Sequence, residues 1–164
     1  MRGALCLAAL FLVLGAAPAH ALLCIPLVGC SCTVTASDIT FDSFSPLDGE
    51  QQASGVIEVD CTGVADVAPS VIARLDDGLY GSMAARQMRT AGAQQLLYNI
   101  YTGSAVNAPV WGDLTGGAAN TTITGGLLSI GHWTTSREMF GRAYPTTATT
   151  PGGYSDTVVV TIIW

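Results

Sequence analysis

Few side chains in this sequence could do chemistry. His132 is the one histidine after the first 21 residues, set in Ser129-Ile130-Gly131-His132-Trp133. A hydrolytic triad needs a nucleophile, an imidazole and a carboxylate within hydrogen-bond reach. Only the imidazole is specified here, because no G-x-S-x-G elbow occurs. A transition-metal site would have to lean on carboxylates, since no second histidine or free thiol accompanies His132. The simpler reading is a strand histidine at or near the surface. Asp76-Asp77-Gly78 and Asp113 offer oxygen ligands for calcium, but EF-hand spacing is absent and Asp-Asp-Gly is ordinary turn chemistry. Nothing in the pattern places two acids across a cleft as a glycosidase requires. Gly116-Gly117 and Gly125-Gly126 open no helix, so they read as turns flanking a short strand rather than phosphate cradles. Asn120-Thr121-Thr122 fits the glycosylation sequon and reads as coincidence in a Thr-rich loop. No catalytic residue, metal ligand set or cofactor is assigned.

The cysteines point to structure instead. Of five, Cys6 lies in an apolar leader, which leaves Cys24, Cys30, Cys32 and Cys61. An even number in an exported chain reads as disulfides, and four cysteines allow three pairings. Cys30 and Cys32 point the same way on a strand, which disfavours joining them. Cys32–Cys61 would join the ends of two long strands, and Cys24–Cys30 would then close a small loop; this pairing is preferred. The longer link closes roughly 30 residues, for which loop entropy suggests about 3–4 kcal/mol.

Arg2, the apolar run Ala4–Ala17 and the small-x-small site Ala19-His20-Ala21 form a secretory signal, residues 1–21, with Leu22 as the expected mature start. Leu27-Val28-Gly29-Cys30 offers a rival lipobox with Cys30 as acceptor. Pro26 and the early end of the apolar run argue against it. Residues 22–164 suffice for one domain with a real core. The formal charge is −6, there is no lysine, and 11% of residues are charged, against about 25% in ordinary domains. An acidic chain without a basic cluster argues against nucleic acid and against an anionic membrane surface. No later segment is long and apolar enough to span a bilayer.

The elements that must carry these residues read as strands. Alternation and turn residues mark Cys32–Phe44, Gly55–Cys61, Val71–Leu75, Gln94–Thr102, Val110–Leu114, Thr121–Thr124, Leu127–Trp133 and Phe140–Tyr144. Ser82–Arg89 allows one helical turn. The terminal stretch Tyr154–Trp164 gives the strongest signal. Tyr154, Val158, Val160, Ile162 and Trp164 share one face, and Thr157, Val159, Thr161 and Ile163 the other. Many short strands between Gly and Pro turns predict an all-β sandwich. Its last strand is expected to present an unpaired edge, a template for another chain.

Ordered segments resemble a known family. They are Cys32-Thr33-Val34 through Ile39-Thr40-Phe41 to Phe44-Ser45-Pro46-Leu47, then Gly55-Val56-Ile57-Glu58-Val59-Asp60-Cys61-Thr62, then Arg86-Gln87-Met88. Leu97-Tyr98-Asn99-Ile100-Tyr101, Trp111-Gly112-Asp113 and Pro151-Gly152-Gly153-Tyr154-Ser155-Asp156-Thr157-Val158-Val159-Val160-Thr161-Ile162 follow. Together they resemble the spore coat protein U domain, the pilin of archaic chaperone–usher fimbriae, over residues 32–164.

The resemblance implies an incomplete immunoglobulin-like β-sandwich that lacks its last strand and is completed by a donor strand. It implies a periplasmic chaperone, an outer-membrane usher and neighbouring pilus subunits as partners. Export would lead through the periplasm to a surface fimbria serving adhesion and biofilm formation. The face Tyr154, Val158, Val160, Ile162 and Trp164 would edge the groove, with the Trp164 carboxylate an anchor for a basic chaperone residue. The donor would have to come from the extension 22–31, where Leu23, Ile25 and Leu27 alternate as candidate anchors. Pro26, which lacks an N–H, and a Cys24–Cys30 loop oppose that role. The alternative function is a secreted or tip-located module that binds carbohydrate or apolar surfaces through exposed Trp111, Trp133 and tyrosines. A secreted hydrolase is the third class.

Overall fold

The computed structural model describes residues 22–26 and 28–164. The leader 1–21, its cleavage site and the candidate anchor Leu27 lie outside the described residues. Those described form an all-β fold without helices. No helix among them is long and apolar enough to cross a membrane.

The strands are β1 (Ser31–Ala36), β2 (Gln51–Val67), β3 (Ser70–Leu75), β4 (Gly81–Ser82), β5 (Ala85–Arg89), β6 (Gln95–Tyr101), β7 (Thr121–Thr124), β8 (Leu128–Ala143) and β9 (Val160–Ile163). They build a six-stranded sheet in the order β1-β2-β8-β6-β5-β4 and a three-stranded sheet in the order β7-β3-β9. Every pairing between these strands is antiparallel. The two sheets face each other across one core. Ile57, Val59 and Cys61 of β2 meet Val71, Ala73 and Leu75 of β3 within it.

β2 shows why alternation fixes the register. Ile57, Val59 and Cys61 are buried while Val56, Glu58 and Asp60 are exposed. A slip of one residue would put two carboxylates in the core. Cys32 lies directly opposite Cys61 across β1 and β2, and the two are disulfide-bonded. Cys24 and Cys30 form the second disulfide.

The structure differs from the sequence reading at several elements. Leu127–Trp133 and Phe140–Tyr144 are parts of one strand, β8. Its middle, Thr134–Glu138, is solvated on nearly every side chain, so no apolar signal marks it; the ladder to β2 holds it. Ser82–Arg89 makes no helical turn but forms the β4–β5 hairpin and its turn. Its Ala, Met, Gln and Arg residues favour helix in isolation, and burial of Arg86 and Met88 overrides that preference. Val110–Leu114 is not a strand. It touches Tyr101 and Ala119 only through single bridges. The first predicted strand stops at Ala36, and Ser37–Phe44 runs on without a ladder.

Candidate functional site

The terminal strand is shorter than its pattern. Only Val160–Ile163 joins a ladder, with β3. Upstream, Ser155 bridges Arg89 of β5, so the segment crosses from one sheet to the other and cannot follow a single partner. The alternation survives the crossing. Tyr154, Asp156, Val158, Val160 and Ile162 are half-buried, and the residues between them are exposed. Trp164 departs from this pattern, being 45% exposed.

Two carboxylates steer the crossing. Asp76 Oδ1 accepts from Gly78 N at 3.0 Å and from Val159 N at 2.9 Å. Asp76 N donates to Val159 O at 3.1 Å, which starts the β3–β9 ladder. Asp156 Oδ1 accepts from Leu79 N at 3.0 Å, and its Oδ2 accepts the Tyr98 hydroxyl at 2.6 Å. Burial, then the Asp156 hydrogen bond, raises the Tyr98 pKa.

Antiparallel pairing directs backbone groups alternately to each side. With Asp76 and Val159 bonded to each other, Val160 and Ile162 turn their N–H and C=O groups to the outer edge of β9. That edge has no strand partner among the described residues. Beside it lies a groove of about 860 Å³. Leu75, Met88, Leu96, Tyr98, Ile100 and Met139 form its apolar floor. Ile39, Phe41 and Phe44 flank one side, and Tyr154, Val158 and Val160 the other. Gly141 permits the first wall: a Cβ there would approach Ile39 Cγ2 at 2.6 Å and Phe41 Cζ at 3.0 Å.

Arg86, fully buried, braces the floor from behind. It donates to Asn99 Oδ1 at 2.6 Å, to Trp111 O at 3.0 Å and to Asp76 O. Burial pulls its pKa below the usual value, opposed by Tyr98, Asp76, Asp77 and Asp156. The sequence reading quoted Arg86 without giving it this role. Arg86 shares the inward face of β5 with Met88, but Gln87 and Arg89 lie in the same short strand, so no local signal sets it apart.

The other candidates separate. Trp111 is 0% and Trp133 3% exposed, and their indoles donate to Ala73 O at 3.0 Å and Gly125 O at 2.7 Å. They are core residues, as aromatics of a β-sandwich more often are, and this removes them from the exposed binding surface that the alternative function needs. His132 is exposed and lies 3.0 Å from Asp60. Asp113 accepts from Thr115 N and Oγ1, which is turn chemistry. No cluster of metal-ligating side chains occurs among the described residues. Of the candidate donor anchors, Leu23 is 62% exposed and Ile25 is half-buried with its N bonded to Gly63 O.

Two facing antiparallel sheets with an apolar groove beside the outer edge of the terminal strand define the class of immunoglobulin-like β-sandwiches. Within it, the model for the Spore Coat Protein U domain matches residues 20–161, and the chain belongs to that family. Among solved structures, the chain resembles the CsuC–CsuE chaperone–tip adhesion subunit pre-assembly complex from the archaic chaperone–usher Csu pili of Acinetobacter baumannii. The TM-score is 0.52 at 18% identity, covering 82% of this chain and 40% of that one. A chaperone–tip adhesin complex of CFA/I fimbriae biogenesis gives a TM-score of 0.44 at 12% identity, covering 77% of this chain and 37% of that one. This chain thus spans less than half of either matched chain. No curated protein matches.

Proposed function

We propose that this chain is a non-enzymatic structural subunit of a surface fimbria. It is exported, held in the periplasm by a chaperone, passed to an outer-membrane usher and joined to neighbouring subunits by donor-strand complementation, in support of adhesion and biofilm formation. One observation carries the reading: the outward backbone groups of Val160 and Ile162 run beside a groove with an apolar floor. An added strand would gain main-chain hydrogen bonds from that edge and bury alternate side chains against Leu75, Met88 and Tyr98. Each large apolar anchor contributes about 1.5–3 kcal/mol, so three or four make a slowly dissociating joint. Family membership and the resemblance to a chaperone–subunit complex support the same reading.

The test is periplasmic production of the full chain with and without a candidate chaperone, followed by size exclusion and N-terminal mass spectrometry. A stable 1:1 complex with poor recovery of the lone chain is expected. A well-folded monomer that ignores the chaperone would sink the reading.

A second reading, a surface-binding module, keeps one supporting observation after the loss of Trp111 and Trp133. Val67 pairs with Leu128, and Ala65 with Ile130, so Val67, Leu128 and Ile130 share a face, all three exposed. Adsorption of the chain to apolar beads, lost on Ile130→Asp, would favour it.

A further inference from the structure

We infer that residues 22–26 and 28–30 belong to a self-docked arm, so that this chain accepts a strand in its groove but donates none from this segment; the inference rests on the groove reading above. Leu22 is 6% exposed and belongs to the core cluster. Cys24 bridges Val64, Ala65 N donates to Leu23 O at 2.9 Å, and Ile25 N donates to Gly63 O at 2.8 Å. Leu23 N also donates to Asp66 Oδ2 at 3.1 Å. The arm therefore continues along the same edge of β2 that β1 occupies from Ser31 onward.

β2 is shaped to receive it. The register shifts between Thr62 and Val64, and the bulge residue Gly63 has φ +76°. A Cβ at Gly63 would lie on the Gly29 carbonyl oxygen. Only glycine meets both demands.

A donor must be extended, so that alternate side chains enter successive pockets. This segment turns instead. Ile25 O accepts from Val28 N at 3.2 Å and from Gly29 N at 3.1 Å. The disulfide holds the Cys24 and Cys30 Cα atoms 5.3 Å apart, where an extended chain would span about 20 Å. Presenting Leu23, Ile25 and Leu27 as one strand face would require breaking the β2 pairing, withdrawing Leu22 from the core and opening the disulfide. An oxidising compartment keeps that bond closed. The partner is thus a second protein that brings its own strand to the groove, and this segment passes none on.

The test follows SDS-resistant ladders on unboiled, non-reducing gels after release of the full chain from its chaperone complex. Two forms are compared: the wild type, and a chain carrying an unpaired alternating Thr–Val segment ahead of Leu22. The wild type is expected to form no ladder and the extended chain to form one, which supports the inference. A wild-type ladder that disappears on Leu23→Asp, an exposed position, overturns it and leaves the groove reading intact. Absence of a ladder from both forms means the groove takes no strand, and the inference falls with the reading it rests on.

Discussion

The Tyr98 hydroxyl donates to Asp156 across 2.6 Å, tying β6 in one sheet to the segment that becomes β9 in the other. The same carboxylate accepts from Leu79 N, so the turn after β3 closes on it. The groove's floor and one of its walls are thereby fixed to each other before any strand arrives.

Asp156→Ala should therefore loosen the β9 side of the groove. It leaves the Tyr98 hydroxyl and the Leu79 N–H without their acceptor, at a cost of about 1–3 kcal/mol. Denaturant unfolding should show the loss, and protease should cut preferentially between Tyr154 and Val159. Uniform cleavage across the chain would argue that Asp156 does not anchor this segment.

The same pair sets an alkaline limit. Burial and the Asp156 hydrogen bond raise the Tyr98 pKa above the usual value of about 10. A folded pKa above the unfolded one means that the stabilisation is intact below about pH 10 and declines as pH rises beyond it. Tyr144, raised by burial and then by its hydrogen bond with Tyr101, behaves in the same sense. Unfolding free energies measured on either side of that pH should fall for the wild type and fall less for Tyr98→Phe.

Arg86→Met should be costly despite a similar apolar reach. The carbonyls of Asp76 and Trp111 and the Asn99 side chain lose their shared donor in a dry interior. Asn99 Oδ1 keeps the Ile100 N–H, but each buried carbonyl left unsatisfied costs about 1–3 kcal/mol. A lowered denaturation midpoint is expected, with Arg86→Lys rescuing little because one ammonium cannot reproduce the guanidinium fork. Full stability of Arg86→Met would show that the network contributes nothing net.

Cys61→Ser should sharply lower periplasmic yield. It removes a link between directly opposed residues of β1 and β2 and leaves a hydroxyl at a fully buried position. Removing a native disulfide from an exported domain typically costs about 2–5 kcal/mol. Yield indistinguishable from wild type would make the bond dispensable.

Deleting Ile162–Trp164 should abolish chaperone capture. The pairs Ile72–Ile163 and Ala73–Ile162 vanish, and with them half of the β9 ladder. Pull-down with a candidate chaperone, beside an immunoblot for the lone chain, reads both capture and degradation. Normal accumulation of the truncated chain would count against the groove.

The alternation of Ile57, Val59 and Cys61 against Val56, Glu58 and Asp60 was enough to orient β2. That of Tyr154 through Ile162 was enough to sort the inward from the outward side chains of the last segment, while the groove beside it was an expectation from the family resemblance. Both signals are local, because a period of two needs no knowledge of the partner strand. Cysteine count pointed to disulfides but left three pairings open, with only a preference for the one observed; the all-β class followed from strand alternation punctuated by glycine and proline. What the sequence left open depended on neighbours distant along the chain. β8 is one strand because β2 pairs with all of it, including Thr134–Glu138, which bury almost nothing. Arg86 is a strut because Asp76, Asn99 and Trp111 converge on it from three places. Trp111 and Trp133 are core because β3 and the turn before β8 supply acceptors for their indoles. The arm at Leu22–Ile25 docks because a bulge forty residues later opens at Gly63, and no local pattern in the arm encodes that meeting.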